Sequence, residues 1–536
     1  MFNPSLHNWH GKTVWLIGAS TGIGLSLANA LLARGAKVIN SARKAQALHT
    51  WADEHNATLN TGTPPRAIAL PLDVTDAAAV KTAAHTVIQQ GPLDLVLYCA
   101  GYFKEVRATA FDLEVTGVLP RELNGCYLRN GPNPLGPVNE AKYHWFSGHG
   151  MVHGIRIRDG KAEWYRNRWV RNNDVADLLG EPRPASDWPA DHQQFAANTN
   201  VIGHAGKTFA IVEAGAPPIE LSYELDTVRV SSLGGTLPHA FSAHPKRDPL
   251  TGELHTMTYW WGWGNQLQYV VVGTDGKVRR TVDIPVPGGP MVHDVHITDK
   301  YVIVLDLPCV FNLDAAMKGA GLPYFWDPDY EARIGLLPRE GDAGDIKWVS
   351  IDPCYIFHPM NAYDDGDEVV FDAARHPKMF DKERRGPSEG PPTLDRWRLN
   401  PVTGRSSHQR IDDRGQEFPR HNETLLGKKY RFGYTAGIGK GFSQDTLIKV
   451  DLQSMITQAR TDQPRYGYGE PVFIPRENAR AEDDGWVMVL RLDNDTFTSD
   501  LAVFDAQDIT AEPVAVVHLP VRVPNGFHGN WVPDGE

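Results

Sequence analysis

Four histidines standing far apart limit what this chain can fold into more than any other feature. His244, His293, His358 and His528 each occupy a short distinctive setting, at spacings of 49, 65 and 170 residues, and Glu213, Glu417 and Glu470 lie in similar settings among them. Such intervals are too long for one helix or hairpin, so ligands in this set must converge from separate elements of a closed fold. Imidazole suits first-row divalent ions, and the set reads as a non-haem iron centre.

At 536 residues the chain is long enough for more than one domain, although all-β architectures can run past about 200 residues as one unit. Hydrophobic residues make up 41% and charged residues 22%, which is enough for a sizeable core. The formal net charge of −12 argues against a nucleic-acid partner, because no basic excess exists to neutralise phosphates. It fits a neutral or apolar substrate, and no obligate protein partner is evident. The opening MFNPSLHNWHGK lacks the basic and apolar segments of a secretory signal. No apolar run reaches the length of about eighteen residues needed to span a bilayer, so the cytoplasm is the default compartment. Cys99, Cys126, Cys309 and Cys354 form no CxxC pair and read as reduced packing residues.

The first part of the chain has an α/β texture. TVWLI (13–17) reads as a strand, GASTGIG as a glycine turn, and LSLANALLARGAK as an amphipathic helix through Leu25, Leu27, Ala28, Leu31 and Leu32. Further strands are expected at VINSA (38–42), AIALPLDV (67–74) and LDLVLYCAG (93–101). Alternating strands and helices imply a parallel, Rossmann-like sheet. Gly18, Gly22 and Gly24 would let the turn approach a pyrophosphate at a helix N-terminus. Through GASTGIG, Asp73 in LDVTD (for the adenine) and Cys99-Ala100-Gly101 (where the family usually has Asn-Ala-Gly), residues 1–110 resemble the N-terminal half of short-chain dehydrogenases. The resemblance implies dinucleotide binding, and Arg43 would favour the 2′-phosphate of NADP. Yet the family's acid/base pair lies in a YxxxK motif that occurs nowhere in this chain. Hydride transfer by that mechanism therefore lacks a proton path. A sheet cut off at its fourth strand would also expose an unpaired edge.

After residue 110 the texture changes. Short β-branched and aromatic segments such as KTFAIVE, YVIVLDL, EVVFDAA and WVMVLRL alternate with turns such as Asp159-Gly160, Thr251-Gly252, Asp275-Gly276, Asp365-Gly366 and Asp484-Gly485. This is the pattern of a closed all-β fold, and propeller blades of roughly 40 to 50 residues would fit seven times into about 420 residues. A helical insertion is expected at LDAAMKGAG (313–321).

The histidines stand in FSAHPKRDPLTGEL, MVHDVHIT, FHPMNAYDD and PNGFHGNW. At these residues the chain resembles the carotenoid cleavage oxygenases. LEVTGVLPRELNGCYLRNGPNP (113–134), FSGHGMVHGIRI (146–157), EFPR (417–420), GEPVFIPR (469–476) and AEDDGW (481–486) extend the match over residues 111–536. The resemblance implies a seven-bladed β-propeller with Fe2+ on its axis, held by His244, His293, His358 and His528, and O2 as cosubstrate. It further implies that Glu213, Glu417 and Glu470 accept the outer N–H of His293, His358 and His528, leaving His244 without a glutamate partner. His296, three residues after His293, reads as structural. His149 and His153 have the spacing of a zinc helix, but the surrounding glycines disfavour a helix and the glutamate of HExxH is absent.

Substrate is expected to be a lipophilic polyene. Phe146 matches a cavity-lining position of the family, and Trp145, Trp260, Trp261 and Phe527 are further candidates to face it. The lignostilbene-cleaving branch typically places a lysine just before the first glutamate; here Val212 stands there, which favours a carotenoid or apocarotenoid. DLPCVFNLDAAMKGAGLPYFW (306–326) falls where the family carries an apolar surface for peripheral membrane contact. The alternatives are a stilbene-cleaving dioxygenase and an NADP-dependent oxidoreductase with a non-catalytic propeller.

Overall fold

A computed structural model describes residues 8–20, 22–57, 59–60, 62–74, 76–99, 108–136, 138, 143–188, 196–384, 386–387, 389–439, 443–462 and 465–535. The chain divides into two compact units, Met1–Glu105 and Val106–Glu536, a few residues ahead of the expected junction. Among the described residues no helix is long and apolar enough to cross a membrane.

The first unit is a four-stranded parallel sheet in the order Ala67–Ala69, Lys37–Ser41, Thr13–Ile17, Leu95–Tyr98. Helices Gly22–Ala33, Ala45–Asn56 and Ala77–Gln89 connect successive strands. Val14, Leu16, Val38, Leu31 and Trp51 are buried in one cluster, and Trp15, Ile39 and Val87 in another. Regular strand ends at Ala69, well short of the end of the apolar run 67–74, although the Leu70 and Leu72 N–H groups on either side of Pro71 still donate to the Asn40 and Ala42 carbonyls at 2.9 and 3.0 Å. Leu95–Tyr98 forms one edge, where Val96 and Tyr98 are exposed. Ala100 and Gly101 lie outside the described residues.

In the second unit seven antiparallel sheets make the blades of a β-propeller, with an added short parallel strand on one of them. Successive blades begin with the strands Asn200–His204, Lys246–Arg247, His296–Ile297, Tyr355–Asp365, Gln416–His421, Val472–Pro475 and Gly529–Pro533. These first strands are innermost: Tyr355–Asp365 meets both His296–Ile297 and Gln416–His421, and Val472–Pro475 meets both Gln416–His421 and Gly529–Pro533. Middle strands are buried on both faces and so read as unbroken apolar runs. In Tyr301–Asp306 every residue after Tyr301 is buried, and burying each Val, Ile or Leu there contributes about 1.5–3 kcal/mol. Tight turns join neighbouring strands. Asp159 and Gly160 both have positive φ, +50° and +74°, and link Gly150–Arg158 to Lys161–Trp169 as a two-residue hairpin. The short helix Leu313–Met317 occupies the expected insertion, capped by the Asn312 side chain.

Closure of the ring uses both ends of this unit. The last strand, Gly529–Pro533, pairs with Gly125–Pro132, and Val115–Gly117 adds to Ala515–His518 of the preceding blade. Thr109–Phe111 pairs with Lys161–Trp169 on the outside of the closing blade. The Asn130 N–H donates to the His528 carbonyl at 2.9 Å, so the closing register also sets where His528 stands. Asn130 is fully buried; its amide donates to the carbonyls of Ala197 and Asn200 at 2.8 and 2.9 Å.

Candidate metal centre

Each of the four histidines lies on or just before the innermost strand of a blade. His244 and His293 immediately precede Lys246–Arg247 and His296–Ile297, His358 lies within Tyr355–Asp365, and His528 precedes Gly529–Pro533. Innermost strands approach one another near the propeller axis, which is how residues up to 284 positions apart in sequence meet. All four side chains are buried, and one nitrogen from each lies within 4.8 Å of the others. His244 Nε2 is 2.9 Å from His293 Nε2, which is 3.1 Å from His358 Nε2.

The outer ring nitrogens face carboxylates. His358 Nδ1 is 2.6 Å from Glu417 Oε2, His528 Nδ1 is 3.0 Å from Glu470 Oε1, and His293 Nδ1 is 2.6 Å from Glu213 Oε2. The Glu213 contact is oblique to the ring and acts through charge more than through an aligned hydrogen bond. A carboxylate at Nδ1 holds the proton there and leaves Nε2 bare. Bare lone pairs at 2.9 to 3.1 Å repel unless a cation lies among them. Two imidazole nitrogens bound at right angles to one metal, each at about 2.1 Å, would stand about 3.0 Å apart. The nitrogen spacing thus fits a bound divalent transition metal.

Further groups complete this arrangement. Glu417 also receives His376 Nε2 at 2.7 Å, and Glu470 accepts the Gly529 N–H at 2.8 Å and pairs with Arg420 at 3.2 Å. His244 has no glutamate; the nearest carboxylate is Asp294, 3.7 Å from its Nδ1 and paired with Lys246 at 2.8 Å. The carboxylates Glu213, Asp294, Glu417 and Glu470 thus outnumber the cations Lys246 and Arg420 around the four histidines, and Arg420 is shared with Glu423 as well, an excess of negative charge that suits a bound cation. Burial pushes the Glu417 carboxyl upward, but His358 and His376 outweigh it and hold it well below the usual range. Burial drives the pKa of His358 down to about 3 and that of His244 well below its usual value. At His293 burial acts the same way, but Glu213 overcomes it and the net direction is upward. His376, Arg420, Lys246 and Asp294 were not singled out from sequence, although the last three stand within motifs quoted above. Their signal was charge beside an invested histidine or glutamate, visible only once the fold sets the partners.

One side of the centre opens into an apolar chamber lined by Trp145, Phe146, Val212, Tyr259, Phe357 and Phe527, together with His293, His358 and His528. Phe146 packs edge-on against Phe357 and Phe527. Two expected lining residues are elsewhere. Trp261 stacks face to face on Phe311, and Trp260 packs over Gly215 and Gly262, where a Cβ would collide with its ring. Trp261 is exposed and Trp260 half-buried, and neither ring lines the chamber. His296 is buried beside its own backbone, His153 bonds the Tyr165 hydroxyl, and His149 faces Asp174.

The glycine turn of the first unit carries Gly18 at φ +88°, and Gly24 sits so close to Ala19 that a Cβ would lie 2.7 Å from its Cα. Gly22 begins the following helix. The Gly18 and Ala19 amides donate to the Ser41 carbonyl at 2.6 and 3.3 Å. Arg43 and Asp73 are exposed at the ends of the second and third strand segments.

Residues 100–533 match the family model described as retinal pigment epithelial membrane protein, and residues 12–118 match that of short chain dehydrogenase. A Mycobacterium tuberculosis carotenoid cleavage oxygenase is 45% identical, covering 84% of this chain and 99% of its own length. An Arabidopsis thaliana carotenoid 9,10(9′,10′)-cleavage dioxygenase is 34% identical over 81% of this chain and 89% of its own. Among solved structures, a cobalt-substituted Synechocystis apocarotenoid oxygenase superposes with a TM-score of 0.73 at 28% identity, covering 80% of this chain and 97% of that one. A Pseudomonas brassicacearum lignostilbene dioxygenase gives 0.73 at 27% identity, covering 80% and 96%.

Proposed function

The chain belongs to the carotenoid cleavage oxygenase family and is a dioxygenase, and we propose that it uses iron(II) to cleave one conjugated C=C bond of a carotenoid or apocarotenoid. The products are two aldehydes, each taking one atom of O2, and no external reductant is consumed. The single observation that carries this reading is the convergence of His244, His293, His358 and His528 at the wall of an apolar chamber.

His244, His293, His358 and His528 would hold the metal, and Glu213, Glu417 and Glu470 keep the protons of His293, His358 and His528 on Nδ1, away from it. Bound there, iron(II) supplies activation of O2 for scission of the double bond. The chamber's part is selection and dryness. Phe146, Phe357 and Phe527 offer ring faces and edges to a polyene and exclude water, which fixes the bond presented to the centre. Val212 is nearly buried and lines this chamber. It offers no cation to a phenolate, which supports a polyene over a phenolic stilbene where the fold itself matches relatives of both kinds equally. Exposed Leu313 and Met317 stand a few residues from Leu322, which reaches the chamber. They form an apolar lip from which a lipophilic substrate would enter at a membrane surface. Gly18, Gly22, Gly24, Arg43 and Asp73 have no part in this chemistry.

Incubating iron-loaded protein with β-carotene and with a long apocarotenal in air, followed by mass spectrometry of the aldehydes, tests the proposal. Iron- and O2-dependent formation of paired aldehydes is expected. NADPH-dependent turnover of an alcohol or aldehyde without iron would overturn it.

A further inference from the structure

The four histidines are reached from two sides of unlike chemistry. His293, His358 and His528 border the apolar chamber, whereas His244, His358 and His528 border a second cavity of about 450 Å³. That cavity has a mixed lining in which charged and polar groups, Lys246, Asp294, Arg420, His421, Glu470 and Asn530, stand among prolines and aliphatic side chains, so it is far more polar than the chamber. His358 and His528 therefore stand in the wall between the two spaces. His244, the histidine without a glutamate, faces only the polar one.

A metal ion arrives hydrated, and stripping its water in an apolar passage is prohibitive because nothing there replaces the lost ligands. Six waters occupy about 180 Å³ at their liquid share, so the polar cavity accommodates a hydrated ion with room to spare. Just behind its wall one buried donor atom stands unused. His421 is buried, a hydrogen bond with the Met360 backbone engages its ring, and its Nε2 has no partner. Asp294 beside His244, and Glu470 beside His528, supply negative charge to the same cavity.

Resting on the metal-centre reading above, we propose that this polar cavity is the route by which a hydrated divalent metal ion reaches and leaves the four histidines, with His421 as a lining base that replaces water on the way. Substrate and metal then use opposite faces of the centre. Filling the apolar chamber would not trap the metal.

A residue on a route alters entry and exit by the same factor and leaves affinity unchanged, whereas one that shapes the bound state alters affinity. Anaerobic uptake of radiolabelled ferrous iron by the metal-free full chain, and its release to a chelator, give both rates. Ile202→Trp, which narrows the polar cavity, and His421→Leu are expected to slow both uptake and release by about ten-fold with unchanged affinity. Leu322→Trp in the apolar chamber, and a long-chain detergent occupying that chamber, are expected to leave both rates unchanged. Unchanged rates in Ile202→Trp and His421→Leu, or release slowed by the detergent, would overturn the route. A change in affinity without matched rates would likewise assign His421 to holding the site, not to passage. Absence of stoichiometric iron in the parent chain would overturn the metal-centre reading itself.

Discussion

Glu417→Gln isolates the task given to the carboxylates. Glu417 accepts from His358 Nδ1 at 2.6 Å, His376 Nε2 at 2.7 Å and the Phe418 N–H at 2.5 Å, all in a buried setting. Glutamine keeps the shape but has one oxygen where the carboxylate has two, and it places N–H₂ towards one of the two imidazoles. If the amide oxygen stays with His358, His376 must change tautomer to accept; if the amide reverses, His358 loses the acceptor that keeps its proton on Nδ1. Either way the charge that makes His358 a strong donor is gone. Losing such an outer partner typically weakens metal binding about 10- to 100-fold, and a factor of ten is about 1.4 kcal/mol. Competition against a chelator of known affinity, with bound iron measured by elemental analysis, reads that change directly. Circular dichroism checks that the propeller remains folded. Iron affinity equal to the parent's in a folded Glu417→Gln protein would refute the argument that this carboxylate prepares His358 for metal.

Three other perturbations probe fold, pH response and specificity. Asn130→Ala removes donors from the Ala197 and Asn200 carbonyls at the closing blade and should destabilise the second unit by about 2–4 kcal/mol, read as a lowered urea midpoint; an unchanged midpoint would deny the closure a stabilising role there. His153 and His255 have pKa values lowered from 6.5 to about 3 by burial, so the unfolded chain takes up their protons first. Stability is then full above pH 6.5 and falls as the pH drops towards 3, by about 1.4 kcal/mol per pH unit for each histidine. Denaturation midpoints measured across pH 7 to 4 check this, and His153→Phe should flatten the slope. Val212→Lys puts an ammonium beside the apolar chamber, where burying an unpaired charge is costly. Polyene cleavage should fall about ten-fold or more, and equal turnover would mean that Val212 does not meet the substrate.

Much of this architecture is legible in the sequence because its signals are local. Short β-branched runs and Asp-Gly turns announce many antiparallel strands, and Asp159-Gly160 forms the hairpin its dipeptide favours. The histidines and glutamates were legible as a set because each sits in its own motif. Long-range partners were not. Nothing local to Lys246 or Asp294 shows that their pair stands beside His244, and nothing local to His376 shows that it shares Glu417 with His358. Those contacts arise only when separate blades meet at the axis. Trp260 and Trp261 show the limit from the other side: aromatic character suits a chamber wall and packing against other groups equally, and only the fold decides. In the first unit the apolar run 67–74 announces the third strand, but regular strand covers only Ala67–Ala69, while Leu70 and Leu72 still bond the neighbouring segment.

Iron per chain and aldehyde yield, measured together in the parent and in His293→Ala, test the central claim most directly. His293 contributes one of the four converging nitrogens and borders the chamber. The parent should hold one equivalent of iron and form paired aldehydes in air, and His293→Ala should lose both. Cleavage at the parental rate by His293→Ala would contradict the account.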